Sequence, residues 1–204
     1  MRLSPAGRSF VEGQESFLPF VYDDHDDAPI APPVGSFGGG RPAEQAIGYP
    51  TVGWGHKLRP GEQYPAGITR EQGDMLFERD MAPAEAAVNA HVQAPISQNA
   101  FDALCSFAFN CGLTAFACST LVRRINANDP DASEEFGWWV HGRGGVVLPI
   151  LVARRTEERA LFLAPDAPRP HEAPRRPRRR ARGHRVPRPD RPAPARRRDA
   201  GADR

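Results

Sequence analysis

Two acidic side chains, Glu15 and Asp24, lie nine positions apart near the start of the chain, separated by the apolar and aromatic run FLPFVY. Cleavage of a glycosidic bond needs such a pair of groups. One carboxylic acid protonates the leaving oxygen, and a second carboxylate assists a water molecule or the developing positive charge. The alternative interpretation is that both are ordinary solvated charges at a helix end and in a loop. The choice depends on the elements that carry them.

These elements are predicted to be a helix followed by two short strands. The helix is expected to start at Ser4 and to continue until Pro19 stops it. The sequences FVYDD at 20–24 and YPTVGWGHKL at 49–58 have the composition of strands. Residues 25–48 between them are too rich in Pro and Gly for regular structure and too many for a simple turn.

Helical patterns dominate the rest of the chain. The sequence TREQ from Thr69 has the spacing of a capping box, and Pro83 predicts a kink in the helix that follows. Another helix is predicted to open at Ser97 and to end before Gly112. Shorter helical runs are expected over residues 116–126, 131–140 and 149–163. The predicted fold is α+β, with a mainly helical body and a small β-hairpin or sheet bordering a cleft.

Composition limits where the protein works. No apolar run approaches the ~20 residues of a membrane span, and the N-terminus lacks the apolar centre of a signal peptide. We therefore expect a protein without signal peptide or transmembrane segment, cytoplasmic until it is released. The three cysteines, Cys105, Cys111 and Cys118, are too few and too poorly supported by histidine for a zinc site. They are predicted to be buried small apolar residues.

The C-terminal region differs sharply in charge. Residues 164–204 hold 14 Arg and five acidic residues, a net charge of +9, so the rest of this +2 chain carries −7. Without aromatic residues the region cannot bury enough apolar surface to offset chain entropy, and disorder is predicted. Two interpretations stay open: the arginines bind nucleic acid, lipopolysaccharide or another anionic polymer, or the region is a passive extension.

A family resemblance links the opening pair to later motifs. Glu15 is followed by Tyr22 seven positions on, by Asp24 nine positions on, and then by TVGWGH from Thr51. FDALCSFAFNCG and LPILVARRTEERALF follow in order. In these features residues 9–163 resemble the phage-type lysozymes, or endolysins, which cleave peptidoglycan between its two alternating amino sugars. The resemblance implies a lysozyme-like fold, a catalytic domain over residues 1–163 and the disordered tail over 164–204.

The resemblance also implies roles for the paired residues. Glu15 would be the general acid, while Asp24 and Thr51 would hold a water molecule on the opposite face of the sugar, giving inversion. Glu12 is a second candidate for the acid, but its spacing to Tyr22 is ten positions rather than seven. Thr51 has a simpler explanation in strand propensity. No metal or cofactor is needed.

The second carboxylate is the less certain assignment. Asp24 and Thr51 are 27 positions apart, against about six in short members of the family. If the intervening loop projects from the hairpin, the site can still assemble. If it does not, Asp23, Asp26 or Asp27 could take the role.

Three further residues are candidate substrate contacts. Asn110 could bind an N-acetyl group or cap a helix. His56 could contact substrate, although buttressing of the turn is the favoured interpretation. Trp138 or its neighbour Trp139 could stack on a sugar ring, but two adjacent tryptophans on a helix cannot both face the cleft.

The last predicted helix carries three arginines, Arg154, Arg155 and Arg159. They are expected to pair with the acidic body rather than to meet the peptide stems of peptidoglycan, so a structural role is favoured.

The resemblance implies peptidoglycan as substrate, a holin-type partner for release and a monomeric protein. Two alternatives remain. A lytic transglycosylase would attack the same polymer with a single essential glutamate, and the Asp and Thr positions argue against it. A catalytically decayed lysozyme fold would leave the arginine tail as a binder of nucleic acid or the anionic envelope.

Overall fold

A computed structural model describes residues 1–31, 40 and 42–166 of the protein. These residues form a small antiparallel sheet and a larger helical body. The strands are β1 (Leu18–Asp23), β2 (Pro50–Gly53) and β3 (His56–Lys57). The α-helices are α1 (Pro5–Gln14), α2 (Arg70–His91), α3 (Gln98–Cys111), α4 (Leu113–Ala117), α5 (Thr120–Asn126) and α6 (Pro149–Leu163). The predicted α+β fold, a mainly helical body with a small sheet, is confirmed by this architecture.

Helix α1 starts where the sequence predicts and ends earlier. The Ser4 hydroxyl accepts a hydrogen bond from the Gly7 amide, and Pro5 occupies the first turn, where its missing N–H costs nothing. The prediction that the helix runs to Pro19 is wrong, because the backbone is already extended at Glu15. Pro19 instead lies in β1, an edge strand, where proline is tolerated.

The sheet has the order β1-β2-β3, and the long loop after Asp24 connects β1 to β2 as an enlarged hairpin. The register of β1 on β2 shifts between Leu18 and Tyr22, and at the end next to the loop Tyr22 pairs with Thr51 and Asp23 with Pro50. The Asp24 amide also donates to the carbonyl of Tyr49 at 3.1 Å. The loop therefore does not separate Asp24 from the second strand.

The long helices begin at the side-chain caps that the sequence indicates. Thr69 and Gln72 form both bonds of the capping box of α2, which continues through Pro83 without ending. Ser97 caps α3, and Gly112, with φ of +91°, reverses the chain into α4. The predicted run 131–140 is a 3₁₀ helix over Ala132–Trp138.

Two apolar clusters fill the interior. The larger one joins the helices around Phe107, whose ring meets Phe136 and Trp139 edge-on with centroids 5.2 Å away. The smaller one lies under the sheet and contains Val21, Ile30, Val52 and Ile68. Burying each such side chain contributes about 1.5–3 kcal/mol, which fixes the sheet against α2. Of the cysteines, Cys105 is buried as predicted, but Cys118 is exposed, so the prediction for Cys118 is wrong.

The described chain continues past α6 to Asp166. The carboxylate of Asp166 accepts hydrogen bonds from the amides of Gln98 and Asn99, at the start of α3. Residues 164–166 of the region predicted to be disordered are thus held on the body, and residues 167–204 lie outside the described residues. Of the helices at the described positions, none combines the length and apolar character that crossing a bilayer requires.

Candidate active site

An open groove of about 420 Å³ lies between the sheet and the helical body. One side of the groove is formed by Glu15 and by residues at and after the turn between β2 and β3, and the end of α3 lies on the other side. The lining residues are Glu15, Gly55, His56, Lys57, Arg59, Asp80, Phe109 and Asn110. Glycosidase chemistry requires an acid in such a groove, and Glu15 is the acidic candidate from the sequence that lines it.

Glu15 is positioned by the end of α1 and by two distant contacts. Its Oε1 atom accepts a hydrogen bond from Arg154 Nη1 at 2.7 Å, and its side chain is 23% exposed. Gly55, with φ of +78°, lies so near that an added Cβ would be 3.3 Å from Glu15 Oε2. A side chain at this left-handed position would therefore be strained and would crowd the carboxyl group. Glu12 instead forms a part-buried ion pair with Arg8 on α1 and does not line the groove.

Asp23 and Asp24 have different surroundings. Asp23 is fully buried, and its carboxylate accepts backbone N–H bonds from Ile47 and Gly48 at 2.7 and 2.8 Å. Asp23 therefore closes the enlarged hairpin. Asp24 is exposed, accepts a bond from the Tyr49 amide at 2.6 Å, and lies 3.1 Å from Lys57 Nζ. The difference arises at the end of β1, because Asp23 is the last, buried residue of the strand and Asp24 is the first residue of the turn that follows.

Tyr22 connects the two candidate carboxylates. It is 7% exposed. Burial raises the pKa of its phenol, and the negative charges of Glu15, Asp27 and Asp24 raise it further. The groove residue Lys57 supplies the geometric link between the two carboxylates, since it lines the groove together with Glu15 and lies 3.1 Å from Asp24.

Thr51 is almost completely buried, with 1% of its surface exposed. Its hydroxyl donates to the Tyr49 carbonyl at 2.9 Å, so the oxygen can still accept a bond from a water molecule. Because bulk solvent does not reach it, a catalytic water at Thr51 would have to be a bound water. Its pairing with Tyr22 and with Lys57 places Thr51 in the middle of the sheet, next to Asp24.

His56 lines the groove, but both of its ring nitrogens are occupied. Nδ1 lies 2.5 Å from Asp80 and Nε2 lies 2.8 Å from Glu62. Burial lowers the pKa of His56, but the hydrogen bonds to the two carboxylates outweigh burial and raise it above its ordinary value. Glu62 has its pKa lowered to about 2, because bonds from the Arg59 amide and His56 outweigh its own burial. This arrangement ties the turn after β3 to α2.

Asn110 closes the groove from α3 and is held by buried charges of α6. Its side-chain oxygen accepts a hydrogen bond from Arg155 Nη2. Arg155 and Arg154 both donate to Glu158, a carboxylate with no exposed surface that also accepts from Ser106. Burial raises the pKa of Glu158, against the opposing effect of the two guanidinium groups and the serine hydroxyl. The same cluster thus holds Glu15 through Arg154 and Asn110 through Arg155.

Trp138 is not brought to the groove. It is 73% exposed and lines another depression with Thr120, Glu135 and Trp139. Trp139 packs against the larger core cluster. The expectation that the two tryptophans diverge therefore agrees with the structure, while Trp138 lies away from Glu15.

The sequence interpretation did not place Lys57, Arg59 and Asp80 in the groove. The pattern HKLR directly after the turn was a signal for the two cations, because alternate residues of a strand share a face. Asp80 offered no signal on its own, since it is one of several acidic residues on α2. Arg154 was identified as a partner of the acidic body, but its particular partner could not be chosen.

Comparison with known proteins identifies a family for the chain. Residues 36–158 match the family described as phage lysozyme. The endolysin of Acyrthosiphon pisum secondary endosymbiont phage 1 is 40% identical over 119 residues, which cover 55% of this chain and 78% of that protein. The endolysin of Salmonella phage P22 is 40% identical over 121 residues, covering 57% and 82%. A solved endolysin from Escherichia coli O157:H7 phage FAHEc1 matches with a TM-score of 0.65 and 28% identity, covering 82% and 97%.

The chain therefore belongs to the phage lysozyme family, a class of lysozyme-type glycosidases. The matched range begins at residue 36, so Glu15 and Asp24 lie before it. Their assignment depends on the groove rather than on the family match.

Proposed function

We propose that the protein is a muramidase that hydrolyses the bond between N-acetylmuramic acid and N-acetylglucosamine in peptidoglycan. The observation that carries the proposal is Glu15 in the open groove, bonded to Arg154, with Asp24 beside Lys57 on the wall of the same groove. The similarity to phage endolysins supports the same substrate. It does not favour a decayed fold that only binds nucleic acid or the envelope.

In the proposed mechanism, Glu15 protonates the glycosidic oxygen as the bond to the sugar breaks. The guanidinium of Arg154, which bonds to Glu15 in the structure, stabilises the carboxylate that remains. Asp24 accepts a proton from a water molecule that attacks the opposite face of the sugar, and Thr51 holds that water. Attack from the opposite face gives inversion at the anomeric carbon.

Substrate contacts follow from the same groove. Asn110, with its oxygen taken by Arg155, keeps its amide N–H groups for the carbonyl of an N-acetyl group. His56 supports the groove wall instead of binding sugar, because both nitrogens are used by carboxylates. We do not propose stacking of Trp138 on a sugar next to Glu15, since Trp138 lines a different depression.

Loss of turbidity of outer-membrane-stripped bacterial walls tests the acid. Glu15→Gln should lower the rate by about 10²–10⁴-fold, the usual contribution of a general acid. The matched control is Glu12→Gln on α1, which weakens the part-buried pair with Arg8 outside the groove and should keep most of the activity. Full clearing by Glu15→Gln would contradict the assignment.

The same assay distinguishes the two aspartates. Asp24→Asn should lower activity at nearly unchanged melting temperature. Asp23→Asn should mainly lower stability, because it weakens the bonds to the Ile47 and Gly48 amides in a buried position. Loss of activity in Asp23→Asn at a temperature where it is folded, with Asp24→Asn active, would move the role to Asp23.

The mass of the product separates hydrolysis from transglycosylation. A hydrolase adds water and leaves a reducing sugar, whereas a lytic transglycosylase leaves a 1,6-anhydro end that is lighter by one water. We propose the hydrated product, because Asp24 and Thr51 supply a place for water. Anhydro ends would leave Glu15 as acid but remove the water-holding role from Asp24 and Thr51.

Release and partners complete the proposal. We propose a monomer that accumulates in the cytoplasm and reaches the wall through a holin-type partner. We also propose that the arginine-rich residues 164–204 bind an anionic polymer. Salt-sensitive binding to DNA or lipopolysaccharide that disappears on removal of residues 167–204 would support this, while wall clearing should survive the truncation.

A further inference from the structure

Two cations, Lys57 and Arg59, lie along the wall of the groove that contains Glu15. Their side chains are 60% and 56% exposed. Lys57 Nζ lies 3.1 Å from Asp24 and 4.6 Å from the centre of the Tyr49 ring, and Arg59 Nη2 lies 3.3 Å from Asp80. Both cations therefore face solvent at the place where substrate must lie.

The backbone that carries the two cations is fixed. Lys57 pairs with Thr51 in the sheet, and Leu58 between the cations packs against the smaller core cluster. The Arg59 amide donates to Glu62 at 2.9 Å. The main chain thus presents the two side chains to the groove, while their charged ends can turn toward a ligand.

Structural ion pairing does not account for these cations. Ion pairs between exposed groups contribute little to stability, because water and salt screen them. The contacts to Asp24 and Asp80 also use only part of the hydrogen-bonding capacity of an ammonium and a guanidinium group. A second carboxylate could therefore join each cation without the loss of a strong contact.

The substrate supplies such carboxylates, whereas the net charge of residues 1–163 repels them. In peptidoglycan the glycan carries acidic peptide stems, so the polymer is anionic. Residues 1–163 carry a net charge of −7 by the sequence count, allowing for the +9 of residues 164–204. An acidic body can bind an acidic polymer only where local cations reverse the potential. Lys57 and Arg59 do this beside the reacting bond.

We propose that Lys57 and Arg59 form a subsite for the carboxylates of the peptide stem. This inference depends on the proposed muramidase function. Arg59 offers a planar fork that fits a carboxylate, and Lys57 offers a point charge. The enzyme should accordingly prefer glycan that still carries its stems over glycan from which the stems have been removed.

Binding to insoluble cell walls tests the subsite without catalysis. In the Glu15→Gln background, Lys57→Gln combined with Arg59→Gln is compared with the parent by co-sedimentation with walls whose stems are intact. A second substrate is the same wall material after an amidase has removed the stems. Arg123→Gln on α5, an exposed arginine that bonds to Thr120, is the matched control for loss of surface charge.

We expect the double variant to bind intact walls about fivefold more weakly than the parent, a size consistent with two partly exposed charge-assisted contacts. Binding to stem-free glycan should be equal for the two proteins. Arg123→Gln should match the parent on both substrates, and Lys57→Arg should keep the preference for stems. Equal binding of parent and double variant to intact walls, or equal losses on both substrates, would overturn the inference.

The outcome also separates this inference from the proposed function. If the wild type clears walls and only the stem preference is missing, the subsite is wrong and the muramidase assignment stands. If the wild type clears no walls and Glu15→Gln binds neither substrate, the proposed function itself fails. Circular dichroism of the double variant checks that it is folded, as expected for two exposed positions.

Discussion

Replacement of Glu158 by Gln tests whether a buried carboxylate holds the helical wall of the groove. Glu158 accepts hydrogen bonds from Ser106 Oγ at 2.7 Å, Arg154 Nε at 3.3 Å and Arg155 Nη1 at 2.6 Å. Gln keeps the size and one acceptor oxygen but turns an NH₂ group toward at least one of these donors. One charge-assisted bond, worth about 1.5–3 kcal/mol, is lost. The two guanidinium groups also lose their counter-ion, and breaking a buried pair costs about 3–5 kcal/mol in all.

For a domain of this size, that loss corresponds to a melting temperature lower by about 6–20 °C. Thermal unfolding followed by circular dichroism measures it. The control is Glu157→Gln, the same change at the preceding, exposed position of α6, which should cost no more than about 0.5 kcal/mol. Wall clearing should also fall in Glu158→Gln at a temperature where both variants are folded, because Arg154 then supports Glu15 less well. Equal melting temperatures for the two variants would refute the role of Glu158 as counter-ion.

Two further substitutions test the sheet side of the groove. Because the folded state raises the pKa of His56, its stabilisation is fully present below the unfolded pKa of about 6.5 and is lost as pH rises through the folded pKa. His56→Gln should therefore lower the melting temperature more in mildly acidic than in alkaline buffer; a loss independent of pH would contradict this. Gly48→Ala would place a Cβ 2.0 Å from Asp24 Oδ1 and should cut wall clearing about tenfold or more. Gly13→Ala, in open space within α1, should leave it unchanged.

Local chemistry made part of the fold predictable. Helix α6 runs over Pro149–Leu163, as predicted, because a proline suits the first helical turn. The start of α2 was also predictable, because its capping box is visible in four residues. The end of α1 was not predictable in this way. Phe17 and Leu18 continue the apolar face of a helix, yet Leu18 begins the edge strand β1 and Phe17 packs against both apolar clusters. The apolar pattern of these residues fits a helix as well as a strand, and tertiary packing decides between the two.

The candidate site likewise has one part that could be predicted from the sequence and one part that could not. The spacing of Glu15, Tyr22 and Asp24 is local and could be recognised from the chain itself. The bond from Arg154 to Glu15 joins residues 139 positions apart, and no spacing rule selects that partner among the arginines of α6. The choice between Asp23 and Asp24 needed the end of β1 and the contacts across the loop, because Asp23 is buried by bonds from the Ile47 and Gly48 amides while Asp24 lies in the turn that follows.

Burial of the charged side chains of α6 is energetically unfavourable. Arg154 Nη2 and Arg155 Nε lie buried without a hydrogen-bond partner among the residues that the structure describes, and each unpaired buried group costs free energy. Apolar side chains of similar size in place of such a cluster are often neutral or stabilising. Stability alone therefore does not explain two arginines and a glutamate beneath the groove. Their contacts do, since one arginine reaches Glu15 and the other reaches Asn110, so the cluster sets the distance between the proposed acid and the proposed substrate amide contact.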